Sequence, residues 1–268
     1  MFPVIIMKKD VMLNYANFSR MRLQEPQQFD WIRFDPTNDC NVRCVYCHAN
    51  HSKLFVNTDD FSTFLDQNVI SVDNFQIGCG QEPTMDPRLT DLMGLIAASK
   101  AKPTGQFKLQ TNGILLHQHD LVKMRDAGLT DVSVSIDAAD PEINKLLRGG
   151  TSMAKVHSNI LAVRKTIPEV KIVFVTTVTK LNVDAMQELV AFGLDLGVAR
   201  FAFREMFYFP ENKVVDHAKM RALLLGKGDF EKMKKALRTT FGGRAVLKFL
   251  DEETLESDRT RMRSDSLL

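Results

Sequence analysis

Short apolar segments rich in β-branched and aromatic residues recur along this chain at intervals of roughly 30 to 35 residues, each followed by turn residues and a stretch of helical period. Strands are predicted near 31–36, 73–78, 106–111, 131–136, 171–178 and 199–205. In the intervening helices, Leu89, Leu92, Met93 and Ile96 share one face, as do Met153, Val156, Ile160 and Val163, and Met186, Leu189, Val190 and Leu194. Strands joined this way return by right-handed crossovers. The pattern therefore predicts an α/β fold, a partial (βα)6 parallel barrel with helices outside and functional loops at the strands' carboxyl ends. After Phe207 the pattern changes to a loop with Pro210, a polar helix around 214–226, a helix with Phe230, Met233 and Leu237, and a strand at Val246–Leu250. The expected organisation is an N-terminal extension (1–28), the barrel core (29–207), a C-terminal helical and strand extension (208–256) and a disordered tail (257–268).

Composition narrows the class without naming a chemistry. Of the 268 residues, 44% are hydrophobic and 25% charged, as in a soluble globular protein, and no apolar run approaches the roughly 20 residues of a membrane helix. The run from Phe2 to Met7 is short for a secretory signal, and Lys8 and Lys9 follow it instead of preceding it, so the expectation is cytoplasmic. A net charge of +2 supplies little bias towards phosphate backbones, and no nucleic acid or membrane partner is expected. The basic residues from Lys232 to Arg238, and Arg259, Arg261 and Arg263, alternate with acidic or apolar ones and read as solvated faces.

All four cysteines fall between positions 40 and 79, a clustering that points to a metal instead of a disulfide framework. Cys40, Cys44 and Cys47 directly follow the first predicted strand, where one loop can wrap three thiols round a small cluster. A cubane with three protein thiolates leaves one iron open for the amino and carboxylate groups of a ligand. Rival uses of the same residues exist. Cys44-Val45-Tyr46-Cys47-His48 also fits c-type haem attachment, His48 or His51 could complete a zinc site, and Cys44 with Cys47 could form a redox or structural pair.

Further candidates stand at the other strand ends. They are Gly80-Gln81-Glu82-Pro83, Thr111-Asn112-Gly113, Ser135 and Asp137 two apart on one face, Arg148, and Arg204-Glu205-Met206. Each has a bland alternative as turn, core or surface residue. In this order and with the cysteine loop, they resemble the radical S-adenosylmethionine superfamily, with a barrel similar to the SPASM and molybdopterin-precursor branches but without a cysteine after Cys79 for auxiliary clusters.

The resemblance implies Cys40, Cys44 and Cys47 as ligands of one four-iron four-sulfur cluster. It implies contacts to S-adenosylmethionine from Tyr46, Gly80, Gln81, Glu82, Asn112, Ser135, Asp137, Arg148 and Met206. Gln81 departs from the family's second glycine. The implied reaction is reductive cleavage to a 5'-deoxyadenosyl radical, which takes a hydrogen atom from a small metabolite or peptide. An electron donor such as flavodoxin or ferredoxin is the implied partner. Cys79, Arg204 and Glu205 are candidate catalytic groups, and Arg33, Asp35, His48, His51 and Gln110 are further polar candidates for the pocket. A glycyl-radical activating enzyme, or a zinc- or cluster-stabilised binding module, is the alternative.

Overall fold

A computed structural model describes residues 5–7, 10–14, 23, 25–208, 210 and 214–250. The expected tail, 257–268, and most of the first 22 residues lie outside this set. One nine-stranded sheet runs in chain order: β1 (Ile5–Met7), β2 (Asp10–Asn14), β3 (Gln27–Asp35), β4 (Val69–Ile77), β5 (Phe107–Thr111), β6 (Asp131–Ser135), β7 (Lys171–Val178), β8 (Arg200–Glu205) and β9 (Val246–Leu250). From β2 to β9 every neighbouring pair is parallel, and β1 pairs antiparallel with β2. The sheet is an open barrel of eight parallel strands. Its middle six, β3 to β8, are those the periodicity predicts, and β9 is the predicted strand after them. β2 carries a short alternation, with Val11 and Leu13 buried and Met12 exposed.

Helices α1 (Thr58–Asn68), α2 (Leu89–Ala98), α3 (Leu121–Asp126), α4 (Pro141–Arg148), α5 (Met153–Thr166), α6 (Met186–Asp195), α7 (His217–Leu223) and α8 (Asp229–Phe241) connect the strands. The apolar faces read from sequence are buried: all four residues named on α2, Val156, Ile160 and Val163 on α5, and Met186, Leu189 and Val190 on α6. Each such side chain contributes about 1.5–3 kcal/mol through burial. Phe34 of β3 stacks on Phe61 of α1 at 4.3 Å, joining sheet to helix, and within the sheet Phe174 of β7 is set edge-on to its neighbour Phe201 of β8 at 5.7 Å.

Strand alternation sends Ile32, Phe34, Phe75, Leu109, Val134, Phe174 and Phe203 towards the helices. Arg33, Gln76, Gln110, Ser135, Thr177 and Arg204 consequently point to the barrel interior. Polar residues collect there.

Candidate active site

The loop after β3 carries the three cysteines and closes on itself through backbone bonds. Asn38 N donates to Leu54 O (3.0 Å), Val56 N to Pro36 O (2.7 Å), and Cys47 N to Cys44 O (3.0 Å), the last making the tight turn between two thiols. The loop is also tied across the mouth of the barrel. Arg43 N donates to Gly149 O (3.1 Å) and Val45 N to Leu147 O (2.9 Å), so the loop runs alongside the end of α4. This approach requires glycine at 149: its φ is +50°, and a Cβ would lie 1.9 Å from Arg43 O.

Cys40, Cys44 and Cys47 all line one cavity at the carboxyl ends of the strands, together with Tyr46, His51, Cys79, Gly80, Gln81, Glu82, Gln110, Asn112, Ser135, Arg148 and Arg204. The cavity measures about 170 Å³, room for on the order of ten waters at roughly 10–15 Å³ each. Burial pushes the Cys40 thiol up to about 12, and raises Cys44 and, more strongly, Cys79.

Around the thiols the backbone is braced by two buried carboxylates. Asp35 accepts from Cys79 N (2.7 Å) and Gly80 N (3.0 Å). Glu82 accepts from Thr84 Oγ1 (2.5 Å), Thr111 Oγ1 (2.6 Å) and Asn112 N (2.6 Å), joining the end of β4 to the end of β5. Burial raises the pKa of both, and these hydrogen bonds offset part of that rise. Gln81, the departure from the family pattern, has a local use. Its amide donates to Asn38 Oδ1 (2.8 Å) while its carbonyl oxygen meets His51 Nδ1 (3.1 Å), and His51 Nε2 lies 3.8 Å from Cys47 Sγ.

Asp137, fully buried, does not line the cavity. Its carboxylate accepts from the Tyr46 hydroxyl, from Arg148 Nη1 (3.3 Å) and from Thr177 N (2.9 Å), while its backbone is held by Asn144 and Asn182. Arg148 also donates from Nη1 to the Tyr46 hydroxyl (2.9 Å), yet its buried Nε has no hydrogen-bond partner. Burial alone would lower the Arg148 pKa, but its coupling to the acidic groups around it, Tyr46, Cys44 and Asp137, outweighs burial and the net shift is upward.

Met206 packs with Leu147, Met220 and Leu223 against Val45 and Tyr46, behind the cavity wall. Glu205 alternates to the face opposite Arg204, and neither it nor His48, Arg33 or Asp35 lines the cavity. Val42, Val175 and Thr177 line it without having been singled out as contacts. Thr177 was accessible from pairing, since it faces Arg204 across the β7–β8 ladder.

Three thiols on one loop, glycine-rich backbone beside them and a buried arginine nitrogen left free fit a cluster with an amino acid-like ligand on its open iron. Among the described residues no three His, Cys, Asp or Glu side chains converge on a single metal ion, whereas a cubane takes its thiolates at separate irons. The open parallel barrel with such a loop at its mouth defines a class of radical enzymes. The Radical SAM superfamily model matches residues 34–193, more than half of the chain, and the chain belongs to this superfamily, enzymes that work with a four-iron four-sulfur cluster and S-adenosylmethionine.

Among curated relatives, a probable GTP 3',8-cyclase of Methanococcus aeolicus is 31% identical over 178 residues, covering 63% of this chain and 58% of its own length. The GTP 3',8-cyclase of Trichormus variabilis is 32% identical over 124 residues, covering 43% and 37%. The chain thus spans about half the length of these relatives. Streptococcus suis SuiB bound to precursor peptide SuiA shares the fold with a TM-score of 0.64 at 17% identity, covering 86% of this chain and 49% of that one. A structure of anSMEcpe with bound AdoMet and a peptide gives 0.63 at 20% identity, covering 83% and 63%. No helix among the described residues is long and apolar enough to cross a membrane.

Proposed function

We propose that this protein generates a 5'-deoxyadenosyl radical in the cavity at the barrel mouth and uses it to take a hydrogen atom from a small metabolite or peptide. The observation that carries the reading is the convergence on one cavity of Cys40, Cys44 and Cys47 with Arg148, whose buried Nε has no hydrogen-bond partner. When bound, the cluster and S-adenosylmethionine supply that radical by one-electron reduction of the sulfonium.

The chain's own residues divide the remaining tasks. Cys40, Cys44 and Cys47 hold the cluster. Backbone at Gly80, Gln81 and Glu82, next to the amides that Asp35 holds, accepts from the amino group of methionine, and Arg148 donates to its carboxylate. Ser135 faces the same cavity as a ribose partner, with Tyr46 and Asn112 near the nucleoside end. Asp137 acts through others: it fixes the Tyr46 hydroxyl and the Arg148 guanidinium, which keeps both from collapsing into the space a ligand needs. The electron comes from a small acidic carrier of the flavodoxin or ferredoxin type, and the working compartment is the cytoplasm. Relatives whose names carry GTP, and fold neighbours bound to peptides, support the breadth of the substrate class without choosing within it.

Anaerobic reconstitution with iron and sulfide tests the reading. A brown protein that forms 5'-deoxyadenosine from S-adenosylmethionine under reductant is expected. A colourless protein that takes zinc and forms none overturns it.

A further inference from the structure

The barrel interior carries a set of cations that the cluster and its ligand do not use. Register places Arg33, Gln76, Lys108, Asp131 and Lys171 in one row across β3 to β7. Gln110 lines the cavity, and Lys108, two residues earlier on the same strand, points to the same side one layer deeper. The row is therefore a floor beneath the radical site.

Two of its cations converge on one aromatic ring. The Arg33 guanidinium lies 5.1 Å and the Lys108 ammonium 5.0 Å from the ring centre of Trp31, the sole tryptophan of the chain. Arg33 also pairs with Asp10 at 3.0 Å. Lys108 is attracted by Asp131 but repelled by Lys248, Arg33 and Lys171, and burial with this crowding lowers its pKa. Arg204 lines the cavity wall above, is exposed to solvent, and has no carboxylate or hydrogen-bond partner among the described residues. Protein nonetheless surrounds it closely enough that desolvation is the largest influence on its pKa, followed by repulsion from Arg33. Like charges held together in a partly desolvated interior cost stability unless an anion joins them.

We propose that the interior beneath the radical site is an anion-binding subsite, in which Arg204 with Lys108 and Arg33 holds a phosphate or carboxylate group of the substrate. The assignment rests on the reading of the cavity as the radical site, and it narrows the substrate to molecules with an anionic end. A substrate held from below by that end presents its uncharged portion upwards, towards the mouth where the hydrogen atom is taken. Both anion types suit the same planar guanidinium and point-charge ammonium.

The test is binding of inorganic pyrophosphate, and separately of succinate, to the reconstituted enzyme holding S-adenosylmethionine, read by Trp31 fluorescence at constant ionic strength set with chloride. A saturable change with either anion is expected, and the anion that produces it tells phosphate from carboxylate recognition. Arg204→Gln and Lys108→Gln should each weaken binding about ten- to a hundredfold, with Arg204→Lys recovering part of the loss. Iron content and absorbance of each variant verify that it is folded and loaded. No saturable change with either anion overturns the proposal, as does binding that both glutamine variants leave intact. Formation of 5'-deoxyadenosine, measured separately, reports on the function reading alone: cleavage without anion binding sinks only the subsite, and anion binding without cleavage sinks only the radical chemistry.

Discussion

At the scale of single residues, the three thiols and the network behind them make separable claims. Cys40→Ala, Cys44→Ala and Cys47→Ala should each lose the iron of the cluster and all formation of 5'-deoxyadenosine, as iron analysis and product chromatography would show. Arg148→Gln should keep its iron while S-adenosylmethionine binds about ten- to a hundredfold more weakly by equilibrium dialysis, since the lost contact is charged. Asp137→Ala should instead destabilise the fold by about 3–5 kcal/mol in urea unfolding, because it strands a buried arginine whose side chain is only 10% exposed. Cys79 lines the cavity, so Cys79→Ala distinguishes hydrogen-atom donation, which leaves substrate quenched or returned, from packing, which leaves normal product and costs about 1 kcal/mol. The three cysteines that line the cavity stood out in the sequence because metal chemistry demands particular atoms at short spacing. Asp137 and Met206 were readable as present but not as displaced behind the wall: for Asp137 that depends on which of several polar groups wins a buried proton donor, here Tyr46, 91 positions away, and for Met206 on packing with Leu147, Met220 and Leu223.

Among elements, the seam between the cysteine loop and the end of α4 is the most exacting. Gly149→Ala should force the loop away from α4, lowering iron incorporation several-fold while far-UV circular dichroism stays close to that of the parent, because the sheet does not depend on this contact. An unchanged iron content would show that the seam does not position the loop. Strands β3 to β8 were legible because each is an apolar alternation bounded by turns and backed by a helix of the right period. β2 was not, because among residues 10–13 of this five-residue strand only Val11 and Leu13 are buried, and the strand gains its partner from β3. The row from Arg33 to Lys171 was equally hidden. Alternation says which side a residue faces, but only register says which residues lie abreast.

Over the whole molecule, the two buried carboxyls set a pH dependence. Asp35 and Glu82 have folded pKa values above their ordinary 3.8 and 4.5, so the stability they contribute is complete below those values and is lost as pH rises through the raised ones. Urea unfolding should therefore show the parent losing ground to Glu82→Gln as pH increases from 4 towards neutrality. The far edge of the sheet offers a second check: Phe249 of β9 stacks on Phe203 at 5.5 Å and meets Phe230 of α8 edge-on at 6.3 Å, so Phe249→Ala should cost about 2–3 kcal/mol. The tie between Tyr46 and Arg148 spans 102 residues. During synthesis at roughly 5–20 residues per second, the thiols thus leave the ribosome about 5 to 20 s before the helix end that shapes their loop exists. For that interval they are unprotected from oxygen and stray metals, and the cofactor has a fitted seat only once residue 149 has emerged. On the proposed assignment metal insertion is a late event in the life of the nascent chain, and stalling upstream of α4 would yield a polypeptide with all three thiols and no shaped loop to hold a cluster.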